Sequence, residues 1–324
     1  MKIAVVGCGA VGSFYGAKLA RAGEDVHFLL RSDYEIVRRR GVRILSPQGN
    51  FHIQPKAART PAAIGACDLV LIGLKTTANS HLPALLPPLV QRETVLLTLQ
   101  NGLGNEEQLA AICSREQVMG GLCFVCLNRI EPGVVQHIDH GLVMLGEFCR
   151  WPEPRTHDIA TRFRNAGIPC KVTDNLARAH WEKLAWNIPF NGLGVASAAG
   201  LQAVRSGKSM PGVPLQACLT TDKLLAEPGW RQLVRELMDE VTAAARSLGH
   251  NVPEQLAEIQ IERTRTMGAY KASTLIDFER RQPLELESLF LEPLRQAEAA
   301  GVKLPRLQAL CRILQTLDPA ISLK

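Results

Sequence analysis

Lys183, Asn187 and Asn191 recur at intervals of four in the segment HWEKLAWNIPFNGL. At about 100° per residue, positions i, i+4 and i+8 of an undistorted helix fall within an arc of about 80°. One face would then present an ammonium and two carboxamides. Pro189 interrupts the segment and predicts a kink before Asn191. Further on, Ser273-Thr274-Leu275-Ile276-Asp277 precedes a turn at Gln282-Pro283 and then Glu285-Leu286-Glu287. A hydride acceptor such as a 2-keto acid needs an acid near its carbonyl oxygen, donors for its carboxylate and a hydroxyl partner, and Lys, Asn, Ser and Glu supply those types. Spacing alone describes a solvated helix face equally well, and the two glutamates after Pro283 would also suit a helix dipole.

A second constellation opens the chain. KIAVVG runs into Gly7-Cys8-Gly9-Ala10-Val11-Gly12, a G-x-G-x-x-G between an apolar strand and a helix. Glycines there permit a tight turn and close backbone approach, and the helix N-terminus offers unpaired N–H groups and a positive dipole to a pyrophosphate. The next apolar run, DVHFLL, is followed by Arg31-Ser32-Asp33. An acidic residue at the end of this strand accepts from a ribose 2′-hydroxyl, whereas an arginine binds a 2′-phosphate. Arg31 closes the strand and Asp33 comes two positions later, so NADP is expected over NAD.

These residues need a scaffold, and the hydrophobic pattern supplies one. KIAVVG, DVHFLL, DLVLIGL and TVLLTL are short, continuously apolar runs separated by helical patterns, as in parallel strands covered on both faces. GLCFVCL and residues 134–145 read as two further strands joined by a turn at Glu131-Pro132-Gly133. From Ala177 onward apolar residues recur at helical spacing: Ala177, Trp181, Leu184 and Ile188, then Leu233, Leu237 and Val241, then Leu286, Leu289 and Leu294. The expected architecture is α/β: an N-terminal Rossmann-type doubly wound sheet over 1–174, then an all-helical domain over 175–324. Residues 199–218, rich in Gly, Ser and Pro, read as a long loop.

At 324 residues the chain has room for two such domains. The net charge of +6 is too modest and dispersed to imply nucleic acid. Residues 1–174 carry +4 of it, and the segment from Arg31 to Arg43 contributes five arginines against Asp33 and Glu35. Arg38, Arg39 and Arg40 are expected to form a solvated helix face. No apolar run is long enough to span a bilayer. The odd count of nine cysteines, with no repeating framework, suggests reduced thiols in a cytoplasmic protein. Cys123 and Cys126 lie three apart on one strand and so point to opposite faces, which makes a poor chelate, and no metal is expected.

The sequence resembles the ketopantoate reductase family, 2-dehydropantoate 2-reductases of pantothenate synthesis. The resemblance rests on GCGAVG, Lys75 in LIGLKT, Gln100-Asn101-Gly102, Lys183-Leu184-Ala185-Trp186-Asn187 and the segment from Ser273 to Glu285. It implies that Lys183 protonates the carbonyl oxygen and that Asn187 and Asn191 bind the substrate's polar groups. Ser273 would contact its carboxylate, and Glu285 would meet substrate and nicotinamide ribose. Lys75 and Asn101 would line the cofactor, Asn101 also reaching the substrate, and Cys126 falls where the family's strand backbone touches the cofactor. Without the family, Asn101-Gly102 is equally a turn dipeptide and Lys75 a solvated strand end.

Two departures bear on the substrate. The family places a proline after its second asparagine, where this chain has Gly192, and a later asparagine where this chain has the 199–218 segment. Ketopantoate is the expected substrate, with a related 2-keto or 3-keto acid as the alternative. A dehydrogenase of the 3-hydroxyacid or 6-phosphogluconate group also uses a helix-borne lysine, but Ser273 and Glu285 argue against it. A non-enzymatic NADP sensor would need the glycine loop and not Lys183. Apolar helices of the second half suit a homodimer contact and core packing equally.

Overall fold

The computed structural model describes residues 1–209 and 212–320. The chain divides into two compact units, Met1–Leu176 and Ala177–Lys324.

The first unit is built on ten strands: β1 (Lys2–Val6), β2 (Asp25–Leu29), β3 (Val42–Leu45), β4 (Phe51–Ile53), β5 (Lys56–Ala58), β6 (Leu69–Ile72), β7 (Val95–Thr98), β8 (Val118–Glu131), β9 (Val134–Glu147) and β10 (Cys170–Val172). They form one sheet in the order β4-β3-β9-β8-β7-β6-β1-β2-β5, with β10 also paired to β9. The four apolar runs become β1, β2, β6 and β7, all parallel to their neighbours among themselves. Side chains alternate faces along a strand, so Ile3 and Val5 of β1 join one core with Phe14, Tyr15 and Leu19 of the helix Ala10–Arg21. Ala4 and Val6 join a second core with Leu82, Leu86, Leu89 and Leu109 on the opposite face.

The strand β2 departs from the expected pattern. Its Asp25 and His27 are only half-buried and pair with each other, and Asp25 also pairs with Lys56 at 2.7 Å. Only the three-residue β5 lies beyond β2 in the sheet, so β2 sits next to the edge. The two later strands are longer than their apolar cores suggested. Each has 14 residues, and they form an antiparallel hairpin turned at Gly133, whose φ is 73°. The near half of β8 pairs parallel with β7, while the start of β9 pairs parallel with β3, so the sheet is mixed. β3, β4, β5 and β10 run only three or four residues, too short for any hydrophobic period to show.

The second unit is helical. Its main members are Leu176–Ala196, which begins at the last residue of the first unit, Pro228–Ser247, Leu256–Arg265 and Pro305–Leu317, with a π-helical turn over Glu287–Leu291. Leu233, Leu237 and Val241 are buried as their spacing requires, as are Trp181, Leu184 and Ile188, but Ala177 is exposed. The Glu240 carboxylate accepts from the backbone N–H groups of Arg306 and Leu307 at 2.8 and 2.9 Å, satisfying donors that open the last helix.

Two expectations are corrected. Leu176–Ala196 stays helical through Pro189, so Asn191 keeps its helical position after Asn187. Within 199–218, residues Leu201–Ser206 form a helix with Ala203 and Val204 buried, bracketed by Gly200 and Gly207 at φ of 87° and 65°. Six residues is less than two turns, which is why no period was visible. Met210 and Pro211 of that segment lie outside the described residues. No helix among the described residues is long and apolar enough to cross a membrane.

Candidate active site

In the first unit the glycine loop joins β1 to the helix Ala10–Arg21, and its three glycines meet three different constraints. Gly7 has φ of 94°, and a β-carbon there would run into the backbone of Leu74. A β-carbon on Gly12 would strike the carbonyl oxygen of Gly7, so this glycine sets how closely the helix packs on the turn. Gly9 is different: a β-carbon there would meet nothing within 4 Å. It caps a 12-residue helix whose first N–H groups receive no side-chain cap. Open space over bare helix N–H groups is what a pyrophosphate requires, so the loop fits a dinucleotide. Between them, Cys8 points inward, its thiol 3.5 Å from the carbonyl oxygens of Val5 and Leu29, and burial raises its pKa far above the usual thiol range.

Arg31 lies two residues past the end of β2 and is exposed. Asp33 is 7% exposed and accepts from the Ser32 hydroxyl at 3.0 Å and from the Arg129 guanidinium of β8 at 2.5 Å. Arg38, Arg39 and Arg40 are exposed on the helix Tyr34–Arg40, as expected, and Arg38 pairs with Glu35.

Lys75 follows β6 and precedes a short 3-10 segment over Thr76–His81, while Asn101 follows β7. A run of carboxamides ties the two loops together. The Gln100 side chain donates to the Leu74 carbonyl at 3.0 Å and to Asn79 at 2.6 Å. Asn79 donates to Asn105 at 3.1 Å, and Asn105 donates to the carbonyl of Asn101 itself at 3.1 Å. Cys126 is buried on β8, opposite in facing to Cys123, Val125 and Leu127, which pack on the core.

In the second unit, Lys183 is half-buried, and Asn187 and Asn191 are buried on successive turns of one helix. The Asn191 carbonyl oxygen accepts three bonds: from the Ser273 hydroxyl at 3.2 Å, the Thr274 N–H at 3.1 Å and the Thr274 hydroxyl at 3.0 Å. These come from the start of the helix Ser273–Glu279, so the two segments singled out in the sequence meet at Asn191. Trp186, between Lys183 and Asn187, donates to Thr264 at 2.8 Å, which anchors the helix on its other flank. Glu285 is 5% exposed, while Glu287 is exposed and pairs with Arg295.

The model of the family described as Ketopantoate reductase PanE/ApbA matches residues 3–150, and that of its C-terminal region matches residues 175–318. The chain belongs to the ketopantoate reductase family. A curated relative from Nostoc sp., a 2-dehydropantoate 2-reductase, is 40% identical over 98% of this chain and 95% of its own. The crystal structure of 2-dehydropantoate 2-reductase from Geobacter metallireducens superposes with a TM-score of 0.89 at 43% identity, covering 98% of this chain and 99% of that one. The enzyme of the same name from Methylococcus capsulatus gives 0.84 at 32% identity over 99% and 98% of the two chains.

Ketopantoate reductases are NAD(P)-dependent oxidoreductases, and this chain is an oxidoreductase of that family. Sequence reasoning missed three kinds of residue in this ketopantoate reductase family member. Asn79, Asn105 and Thr274 act through contacts, and nothing in their spacing marks them. Gln100 was visible only as part of the Gln-Asn-Gly motif. Arg129 lies 96 residues from Asp33 and only folding brings them together. The cysteines carry no disulfide, and burial pushes the thiols of Cys170 and Cys311 up to about 11 and about 12, which leaves them protonated and unreactive near neutral pH.

Proposed function

We propose that this protein reduces 2-dehydropantoate to pantoate with NADPH, residues 1–174 binding the cofactor and residues 175–324 the keto acid. The observation that carries this reading is the helix Leu176–Ala196, with a lysine and two buried asparagines on consecutive turns and the second asparagine fixed by Ser273 and Thr274. Its length and identity match to a named 2-dehydropantoate 2-reductase supports the substrate.

When bound, the reduced nicotinamide supplies the hydride. Lys183 donates the proton that the carbonyl oxygen needs as negative charge develops on it. Asn187 and Asn191 orient the substrate's polar groups. A carbonyl oxygen has two lone pairs, yet Asn191 holds three donors. The longest of these bonds belongs to Ser273, which is also less buried than Thr274. Ser273 can therefore turn its hydroxyl to a substrate carboxylate while Thr274 keeps Asn191 in place. Glu285, buried, accepts from hydroxyl groups of the substrate and of the nicotinamide ribose.

In the first unit Gly7, Cys8, Gly9, Ala10, Val11 and Gly12 hold the pyrophosphate through their backbone. Lys75, Asn101 and the backbone of Cys126 line the cofactor, and Asn101 reaches the substrate. Arg31 supplies a charge-assisted contact to the 2′-phosphate. NADP is favoured over NAD because Arg31 is exposed, whereas the carboxylate of Asp33 is already engaged.

The test is NADPH oxidation against a panel of 2-keto and 3-keto acids. Ketopantoate should give the highest kcat/KM. A higher value with another keto acid would reassign the substrate, and tight NADPH binding with no oxidation of any would replace the enzyme by a sensor. Arg31→Ala should raise the KM for NADPH and leave that for NADH unchanged.

A further inference from the structure

We propose that Arg129 determines cofactor specificity indirectly, by holding the Asp33 carboxylate so that it neither accepts from a ribose 2′-hydroxyl nor repels a 2′-phosphate. The inference rests on the NADP reading above and adds a residue to it.

Asp33 stands where an acidic residue would select NAD, two positions past Arg31. It also directly precedes the helix Tyr34–Arg40, where an aspartate ordinarily accepts from the backbone N–H groups of the first turn. It makes no such cap bond. One carboxylate oxygen takes the Ser32 hydroxyl and the other takes Arg129 at 2.5 Å. The aspartate side chain is 10% exposed and that of Arg129 is 39% exposed, so the carboxylate is the more covered of the two partners. The negative charge also reaches the glycine loop: after burial, Asp33 is the next cause raising the Cys8 thiol.

The partner arrives from the far half of the β8–β9 hairpin, past the residues that pair with β7. That half is placed by β9, which pairs with β3 through Arg43 opposite Val134. The strand that follows the helix Tyr34–Arg40 therefore helps dock the arginine that neutralises the residue before that helix. Without Arg129, a carboxylate would face the phosphate group that Arg31 is placed to bind. Repulsion between two such anions across a partly solvated gap is worth on the order of 1 kcal/mol or more.

The experiment measures NADPH and NADH affinity by isothermal titration calorimetry on the whole protein, with thermal unfolding as a check that each variant folds. Arg129→Met should weaken NADPH by about tenfold, the equivalent of about 1.4 kcal/mol, and leave NADH unchanged or tighter. Arg129→Lys should retain most of the preference. Asp33→Asn should keep wild-type NADPH affinity, and adding it to Arg129→Met should restore what that variant lost. An unchanged NADPH to NADH ratio in Arg129→Met overturns the proposal, and so does a double variant as weak as Arg129→Met. If Arg129→Met does not fold, loss of NADPH preference in Asp33→Asn overturns it alone. Arg31→Ala separates the two readings: if it does not weaken NADPH, the 2′-phosphate is not read at this strand end and the NADP assignment fails first.

Discussion

Lys183 matters because a carbonyl oxygen gaining negative charge needs a proton donor beside it, and a lysine ammonium is one. Replacing a positioned general acid usually costs about 100- to 10,000-fold in turnover. Lys183→Ala is therefore expected to lose kcat on that scale while NADPH affinity, measured by calorimetry, stays at the wild-type level. The paired glutamates separate in the same way. In the sequence Glu285 and Glu287 looked alike, yet Glu285 is buried and Glu287 pairs with Arg295 at the surface. Glu285→Gln should lower kcat/KM for the keto acid, whereas Glu287→Gln should leave both activity and melting temperature nearly unchanged, because exposed ion pairs contribute little.

At the level of elements, the glycine loop offers a contrast that a consensus pattern hides. Gly9→Ala adds a methyl group to open space at a φ of −75°, so the variant should fold with wild-type stability and lose NADPH affinity. Gly12→Ala puts its methyl into the Gly7 carbonyl, and overpacking of that kind costs about 1–3 kcal/mol. Chemical denaturation together with NADPH titration distinguishes the two, and equal stability losses would contradict the separate roles. The helix pair at Asn191 behaves similarly. Thr274→Val keeps the shape but removes one donor to a buried carbonyl oxygen, so a loss of about 1 kcal/mol is expected, with the Ser273 contact retained.

Across the molecule, acid stability depends on ties that no local pattern predicts. Burial works against the charge on Glu24, but Arg162 at 2.8 Å and the N-terminal ammonium at 3.0 Å outweigh it and hold the carboxyl below its ordinary value of 4.5. A carboxyl depressed by folding adds stability above its unfolded pKa and loses it as pH falls through the folded one. Melting temperature should thus fall more steeply below about pH 4.5 in the wild type than in Glu24→Gln. The two-part architecture, the parallel strands, the glycine loop and the Lys-Asn-Asn helix were legible because each is a local signal. Burial on both faces imposes apolar runs, a phosphate turn demands small residues, and one helix face repeats every three to four positions. Pro189 does not end the helix, because a long helix packed on its neighbours tolerates one missing N–H. The short strands, the mixed direction of the sheet, the carboxamides joining Leu74 and Asn79 to the loop of Asn101, and the choice of Arg129 as partner for Asp33 could not be read that way. Each depends on residues tens of positions apart, and only the folded chain decides which charges and amides become neighbours.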